Sequence, residues 1–163
     1  MTQEPKLYVL AEFDRLTDRR LSDYRDRMVF AGFIGEQTAG PRHHITLGSY
    51  PLDCAEKLLA RLERERNGRP IPVRFPQIGT FGDRVLFVAA EEDAPLRALH
   101  AKFDDGDEWV PHATMYLTEE GGVEEARAYL EMFFEPFEGE ITRLALYEFF
   151  PSKLIAAVEL VNG

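Results

Sequence analysis

Hydrophobic and polar residues follow two periods along this chain, and the switches between them divide it into strands and helices. Leu7-Tyr8-Val9-Leu10-Ala11-Glu12-Phe13 is rich in strand formers and predicts a first strand, ended by Asp14 to Thr17. Leu21, Tyr24, Met28 and Ala31 then recur at three- and four-residue intervals, the buried stripe of a helix that Thr17 or Asp18 could cap. Gly32, Gly35 and Gly40-Pro41 break the stripe and lead into a strand from Arg42 to Ser49. Pro51 and Asp53 open a second helix, with Ala55, Leu58, Leu59 and Leu62 on its apolar face, and Asn67-Gly68 stops it. Ile71 to Phe81 and Arg84 to Ala90 read as two strands joined by a tight turn at Gly82-Asp83. Asp93 and Pro95 start a third helix carrying Leu96, Leu99 and Phe103, and Asp104 to Glu108 form an acidic loop. Val110 to Thr118 is a further strand. Gly121-Gly122 leads to a fourth helix reaching Phe134, and Phe137 to Phe150 and Leu154 to Val161 pair across a turn at Pro151-Ser152.

Two of these strands carry one pattern: His44-Ile45-Thr46-Leu47 and His112-Ala113-Thr114-Met115. Alternate side chains of a strand share a face, so each copy presents an imidazole and a hydroxyl on one side and two apolar groups on the other. The offset between the histidines is 112 minus 44, or 68, and it carries well past the motif. Without gaps, Ala55 meets Val123, Leu62 meets Leu130, Val73 meets Ile141, Phe81 meets Phe149 and Leu86 meets Leu154. The repeat predicts one α+β domain over 1–163. Its two pseudo-twofold lobes are small antiparallel sheets with helices on their outer faces, and His44 and His112 face each other across a cleft between the lobes.

Composition narrows the setting. At 45% hydrophobic and 12% aromatic, 163 residues can bury a real core. No apolar run is long enough to span a membrane, and Met1 to Lys6 show no basic start followed by an apolar stretch, so neither a membrane span nor a signal peptide is expected. The single Cys54 cannot form an internal disulfide, and the expected setting is the reduced cytoplasm. A net charge of -10 argues against binding long duplex nucleic acid, yet leaves room for a small nucleotide or RNA end in a locally basic pocket. The chain is expected to work as a monomer.

Histidine titrates near neutrality, so one of a pair can be neutral while the other is protonated. One then takes a proton from an attacking water and the other protonates the departing oxygen. Attack and departure occur on opposite sides of phosphorus, which suits catalysts on opposite walls. The hydroxyls of Thr46 and Thr114 can donate to non-bridging phosphate oxygens. No metal or cofactor is required, and four histidines without a His-Glu-x-x-His spacing give poor support for a metal hydrolase.

The paired motifs, with Trp109-Val110-Pro111 ahead of the second, resemble those of the two-histidine (2H) phosphoesterase superfamily. Its members include 2'-5' RNA ligase-like proteins and cyclic phosphodiesterases. Ile78-Gly79-Thr80-Phe81-Gly82 and the strand after it resemble that family too, and the resemblance spans nearly the whole chain. It implies a bilobal α+β fold, a metal-independent site, and His44, Thr46, His112 and Thr114 as the catalytic set. The function expected is that of a phosphoric diester hydrolase opening a 2',3'-cyclic phosphate on a nucleotide or RNA end. The alternatives are 2'-5' RNA ligase or 2'-5' phosphodiesterase activity, or a non-catalytic module that binds a nucleotide or phosphate.

Other residues have two readings. Arg42 could meet a phosphate or be a surface strand-end arginine, and Tyr116 could stack on a nucleobase or simply line the cleft or core. His43 is expected to be structural or supporting, His100 to pack or lie at the surface, and Phe81 and Phe149 to be core residues. Lys153 is expected to be solvated, Cys54 inert, and the alternating charges of Arg61 to Arg66 a solvated helix face.

Overall fold

The computed structural model describes residues 4–36, 42–104, 108–149 and 151–161. The elements in chain order are β1 (Lys6–Phe13), α1 (Arg15–Phe30), β2 (His44–Tyr50), a short 3-10 turn (Leu52–Cys54) running into α2 (Ala55–Glu63), β3 (Ile71–Phe75), β4 (Gln77–Phe81), β5 (Val85–Ala89), α3 (Ala94–Phe103), β6 (His112–Leu117), α4 (Val123–Glu131), β7 (Phe137–Phe149) and β8 (Lys153–Glu159). All strand pairs are antiparallel. One sheet runs β2-β1-β7, with β3 and then β8 along the far edge of β7; the other runs β4-β5-β6. The fold is therefore α+β, two small antiparallel sheets with helices.

One core serves both sheets. Leu7, Val9, Ile45 and Leu47 from the larger sheet meet Leu86, Val88, Ala113 and Met115 from the smaller one, together with the apolar stripes of all four helices. The opposite face of the larger sheet carries a small cluster of Leu10, Ala145, Tyr147 and Phe149, with Tyr8 and Ala157 against it.

The single strand expected over Ile71–Phe81 is broken at Pro76. Proline has no N–H to give a ladder, and the chain changes sheets there: β3 pairs with β7, and β4 with β5. The offset of 68 holds for whole elements, since α2 and α4 start at 55 and 123 and end at 63 and 131. The lobes are nevertheless not the sequence halves. The hairpin β4–β5 of the first copy borders the second motif strand, and the hairpin β7–β8 of the second copy joins the sheet of the first.

Helix α1 begins earlier than expected. Its cap is Asp14, not Thr17 or Asp18. The Asp14 carboxylate accepts from the Thr17 amide at 3.3 Å and hydroxyl at 2.5 Å, and from the Glu140 amide at 2.9 Å, which ties the helix start to β7. Gly139 is required beside it, because a Cβ there would lie 2.1 Å from the Thr17 hydroxyl. At the other end, Ala31 is an exposed cap rather than part of the buried stripe, and in α2 Leu59 is exposed. Phe150 and part of the acidic loop, 105–107, lie outside the described residues.

Burial pushes the Asp14 carboxyl up, but the hydrogen bonds from the Thr17 hydroxyl and the Glu140 and Thr17 amides outweigh it and hold its pKa below 3.8. Folding therefore favours the ionised form, and this stabilisation is lost as pH falls through the folded-state value. Asp14→Ala is expected to lower the unfolding free energy by about 1–2 kcal/mol at neutral pH, measured in urea. The gap to the unsubstituted protein should close as pH falls below 3.8.

Candidate active site

The two motif strands are built alike. Ile45, Leu47 and Ala113 are 0% exposed and Met115 is 1% exposed, while the histidines and threonines between them are only half-buried. Each strand also slips register at the fourth motif position. Leu10 pairs with Thr46 and Val9 with Gly48, passing over Leu47; Phe87 pairs with Thr114 and Leu86 with Tyr116, passing over Met115. Such bulges re-aim the side chains beside them. The second one turns Tyr116 to the side of buried Leu86, where its ring meets Phe33 at 6.0 Å. Tyr116 is not among the residues lining the cavity described below.

Both imidazoles are held in the same way. His44 Nδ1 lies 2.7 Å from the Arg42 carbonyl, and His112 Nδ1 lies 2.7 Å from the Val110 carbonyl. A carbonyl only accepts, so each Nδ1 carries the hydrogen and each neutral ring keeps its lone pair on Nε2. Burial lowers both pKa values from 6.5, and the carbonyl bonds oppose the change; at His44 the charges of His43 and His112 lower it further. Each motif's histidine is thus a base at neutral pH with a proton within easy reach.

A cavity of about 520 Å³ opens on the first half-site. His44, Thr46 and Arg42 line it together with Thr114 of the second motif, so three of the four motif groups and Arg42 come together there. His112 stands at its side, not among the lining residues. Phe81 covers its ring edge-on at 4.8 Å and Phe87 lies at 5.0 Å, so Phe81 is a 38% exposed cover for an imidazole rather than the core residue expected. Phe149 is buried, and it lines the cavity with Tyr8 and Leu10.

Several lining residues escaped the sequence reading. Asp18, Ser22 and Arg25 project from α1 at four- and three-residue spacing, one step round from the buried stripe of Leu21, Tyr24 and Met28. They hold the motif from behind. Asp18 accepts from the His43 amide at 3.2 Å, Ser22 lies 3.0 Å from His43 Nε2, and Arg25 donates to the Met115 carbonyl at 3.0 Å. His43 supports the site, as expected, and also lines the cavity. A polar row crosses the larger sheet from His44 to Glu12, Arg143 and Glu159. In it Glu12, 0% exposed, accepts from Arg143 at 2.5 Å, and its other oxygen has no partner among the described residues. Among the described residues no three His, Cys, Asp or Glu side chains group to hold a metal ion, and no helix is long and apolar enough to cross a membrane.

One side chain joins the half-sites. The Trp109 indole N–H donates to the Thr46 carbonyl at 3.1 Å, and the next residue, Val110, supplies the carbonyl that fixes His112. His100, buried rather than superficial, stacks on the indole at 3.9 Å and 4°. Trp109→Phe keeps one aromatic ring for that stack and removes the N–H donor along with part of the indole's packing volume. It is expected to cost about 1–3 kcal/mol of stability in denaturant unfolding, the penalty for leaving a carbonyl unpaired.

The comparisons agree with this geometry. The family model of the 2'-5' RNA ligase superfamily matches residues 36–149. Among curated proteins none matches the chain. Of solved structures, TT0787 of Thermus thermophilus superposes with a TM-score of 0.66 at 18% identity, covering 96% of this chain and 98% of that one. E. coli LigT complexed with ATP gives 0.65 at 17% identity, and complexed with 3'-AMP 0.63 at 16%, each covering 98% of this chain and 100% of that one. Two matched His-x-Thr strands, one shared core and a family match over most of the chain lead to one conclusion: the protein belongs to the 2'-5' RNA ligase superfamily of two-histidine phosphoesterases.

Proposed function

We propose that the chain is a phosphodiesterase that opens the 2',3'-cyclic phosphate of a nucleotide or RNA end, with His44 and His112 as its acid–base pair. The observation that carries this reading is the matched pair of carbonyl clamps, each at 2.7 Å, which leaves the Nε2 of both rings for proton transfer. The LigT structures bound to 3'-AMP, ATP and phosphate support a phosphate-bearing ligand of nucleotide size for this cavity.

His44 serves here as the neutral base, and the matched clamps let the two roles exchange. Its Nε2 takes a proton from water as the water oxygen attacks phosphorus. The bond from phosphorus to one ribose oxygen breaks, and His112 Nε2–H protonates that oxygen. One water is consumed, and a phosphate monoester and a free hydroxyl are formed. The pair ends with its proton moved from His112 to His44, and exchange with solvent resets it. Thr46 and Thr114 hydroxyls donate to the non-bridging oxygens, where charge builds in the transition state.

A second reading keeps the site and changes the bond, to the cleavage or formation of 2'-5' linkages. The family's own description favours it, as does the likeness of the two clamps, since a near-symmetric pair serves either direction. Product analysis on cyclic-phosphate-ended and 2'-5'-linked oligonucleotides separates the two.

His44→Ala and His112→Ala are each expected to lower kcat/KM by about 10²–10⁴-fold while the circular dichroism spectrum is kept. Turnover should survive a chelator; activity unchanged by either substitution would sink the proposal. The reacting form carries one proton on the pair. Burial pushes both values below 6.5, so that form is most populated on the acid side of 6.5. The kcat/KM profile should be bell-shaped with its optimum there, falling at higher pH as the acid loses its proton and at lower pH as the base gains one.

A further inference from the structure

Two arginines line the cavity, together with the carboxylate residues Asp18 and Glu36. These are Arg25 and Arg42, which line it with His43 and His44. Among the described residues neither is ion-paired with a carboxylate. Asp18 shares the wall, its carboxylate accepting from the His43 amide, and Asp26 lies near enough to Arg25 to favour its charged form. Glu36 shares it too, anchored through its own amide to the Leu117 carbonyl at 2.7 Å. A partly buried guanidinium such as that of Arg25, facing a cavity without a direct ion pair, has donors to offer an anion.

The geometry also leaves donors to spare. Arg25 spends Nη1 on the Met115 carbonyl, one residue beyond Thr114, and this fixes its fork at the α1 end of the cavity. A guanidinium has five N–H donors, so most remain for a ligand. Arg25 lies close enough to His43, the residue before the first motif, for its charge to oppose protonation there. The volume, about 520 Å³, is ample for more than a lone phosphate.

We propose that Arg25 and Arg42 form a second anion subsite that holds a further phosphate of the substrate, next to the phosphate presented to His44, Thr46 and Thr114. This rests on the phosphodiesterase reading above and narrows its substrate to molecules with at least two phosphates. The second is either a 5'-phosphate on the same nucleotide or the internucleotide linkage of an RNA end.

The test compares adenosine 2',3'-cyclic phosphate with its 5'-phosphorylated form and with a dinucleotide ending in the cyclic phosphate. Either doubly charged substrate should have a kcat/KM about 10- to 100-fold higher, carried by KM, since charge-assisted hydrogen bonds are the ones gained. Which of the two is preferred tells the 5'-phosphate from the linkage. Arg25→Gln should remove most of that preference and Arg25→Lys should keep much of it; if Arg25→Gln does not fold, Arg42→Gln reads the same ratio. Equal kcat/KM for all three substrates would overturn the subsite. So would an Arg25→Gln variant that slows every substrate by the same factor. Calorimetry with adenosine 3'-phosphate and adenosine 3',5'-bisphosphate separates the two claims. A bisphosphate preference that Arg25→Gln abolishes, with no turnover of any cyclic substrate, would keep the subsite and reject the phosphodiesterase; turnover without preference would do the reverse.

Discussion

Everything at the site depends on one constraint, the two-residue alternation of a strand whose back is fully buried. Ile45 and Leu47 on β2, and Ala113 and Met115 on β6, are locked into the core that both sheets and all four helices share. A slip of one residue would turn those groups out and the imidazoles in. The core therefore sets which way His44, Thr46, His112 and Thr114 face. The bulges at Leu47 and Met115 end each motif just after its threonine, so that His-x-Thr is a unit and the residue beyond the bulge is free to do something else. At Tyr116 that something is packing against Phe33.

Direction alone does not make an acid–base pair; the proton must also sit on the correct nitrogen. The chain solves this locally and twice, with the carbonyl two residues upstream of each histidine. The two solutions are joined by Trp109, whose indole bonds to the first motif while its neighbour Val110 clamps the second histidine. In a chain of net charge -10, Arg25 and Arg42 line the cavity without carboxylate ion pairs among the described residues.

Much of this was legible in the sequence because it is periodic. The motifs, their spacing of 68 and the helices α2 and α4 at that same spacing follow from pattern alone. Other features depend on contacts between segments distant in the chain. Asp14 reads as a strand end until the Glu140 amide comes to it. Ile71 to Phe81 reads as one strand because its apolar pattern runs on through Pro76; only the missing N–H of proline signals that two sheets divide it. Arg25 sits on the polar side of an amphipathic helix, where a charged residue is ordinarily solvated, and nothing local says that β6 lies against it. Phe81 reads as core by its match to Phe149, yet it lies over His112 while Phe149 is buried beside the other half-site. The repeat equates positions, and the exchange of hairpins between sheets makes their surroundings unequal.

The central claim is that both imidazoles are held as Nδ1–H tautomers with Nε2 offered to one phosphate. Nitrogen-15 NMR of histidine-labelled protein, recorded across pH with and without inorganic phosphate, tests it directly. The account predicts that His44 and His112 both show the Nδ1–H tautomer when neutral, both titrate below 6.5 in the free protein, and both shift their Nε2 signals on adding phosphate. An Nε2–H tautomer at either histidine, or a phosphate response confined to one of them, would contradict it.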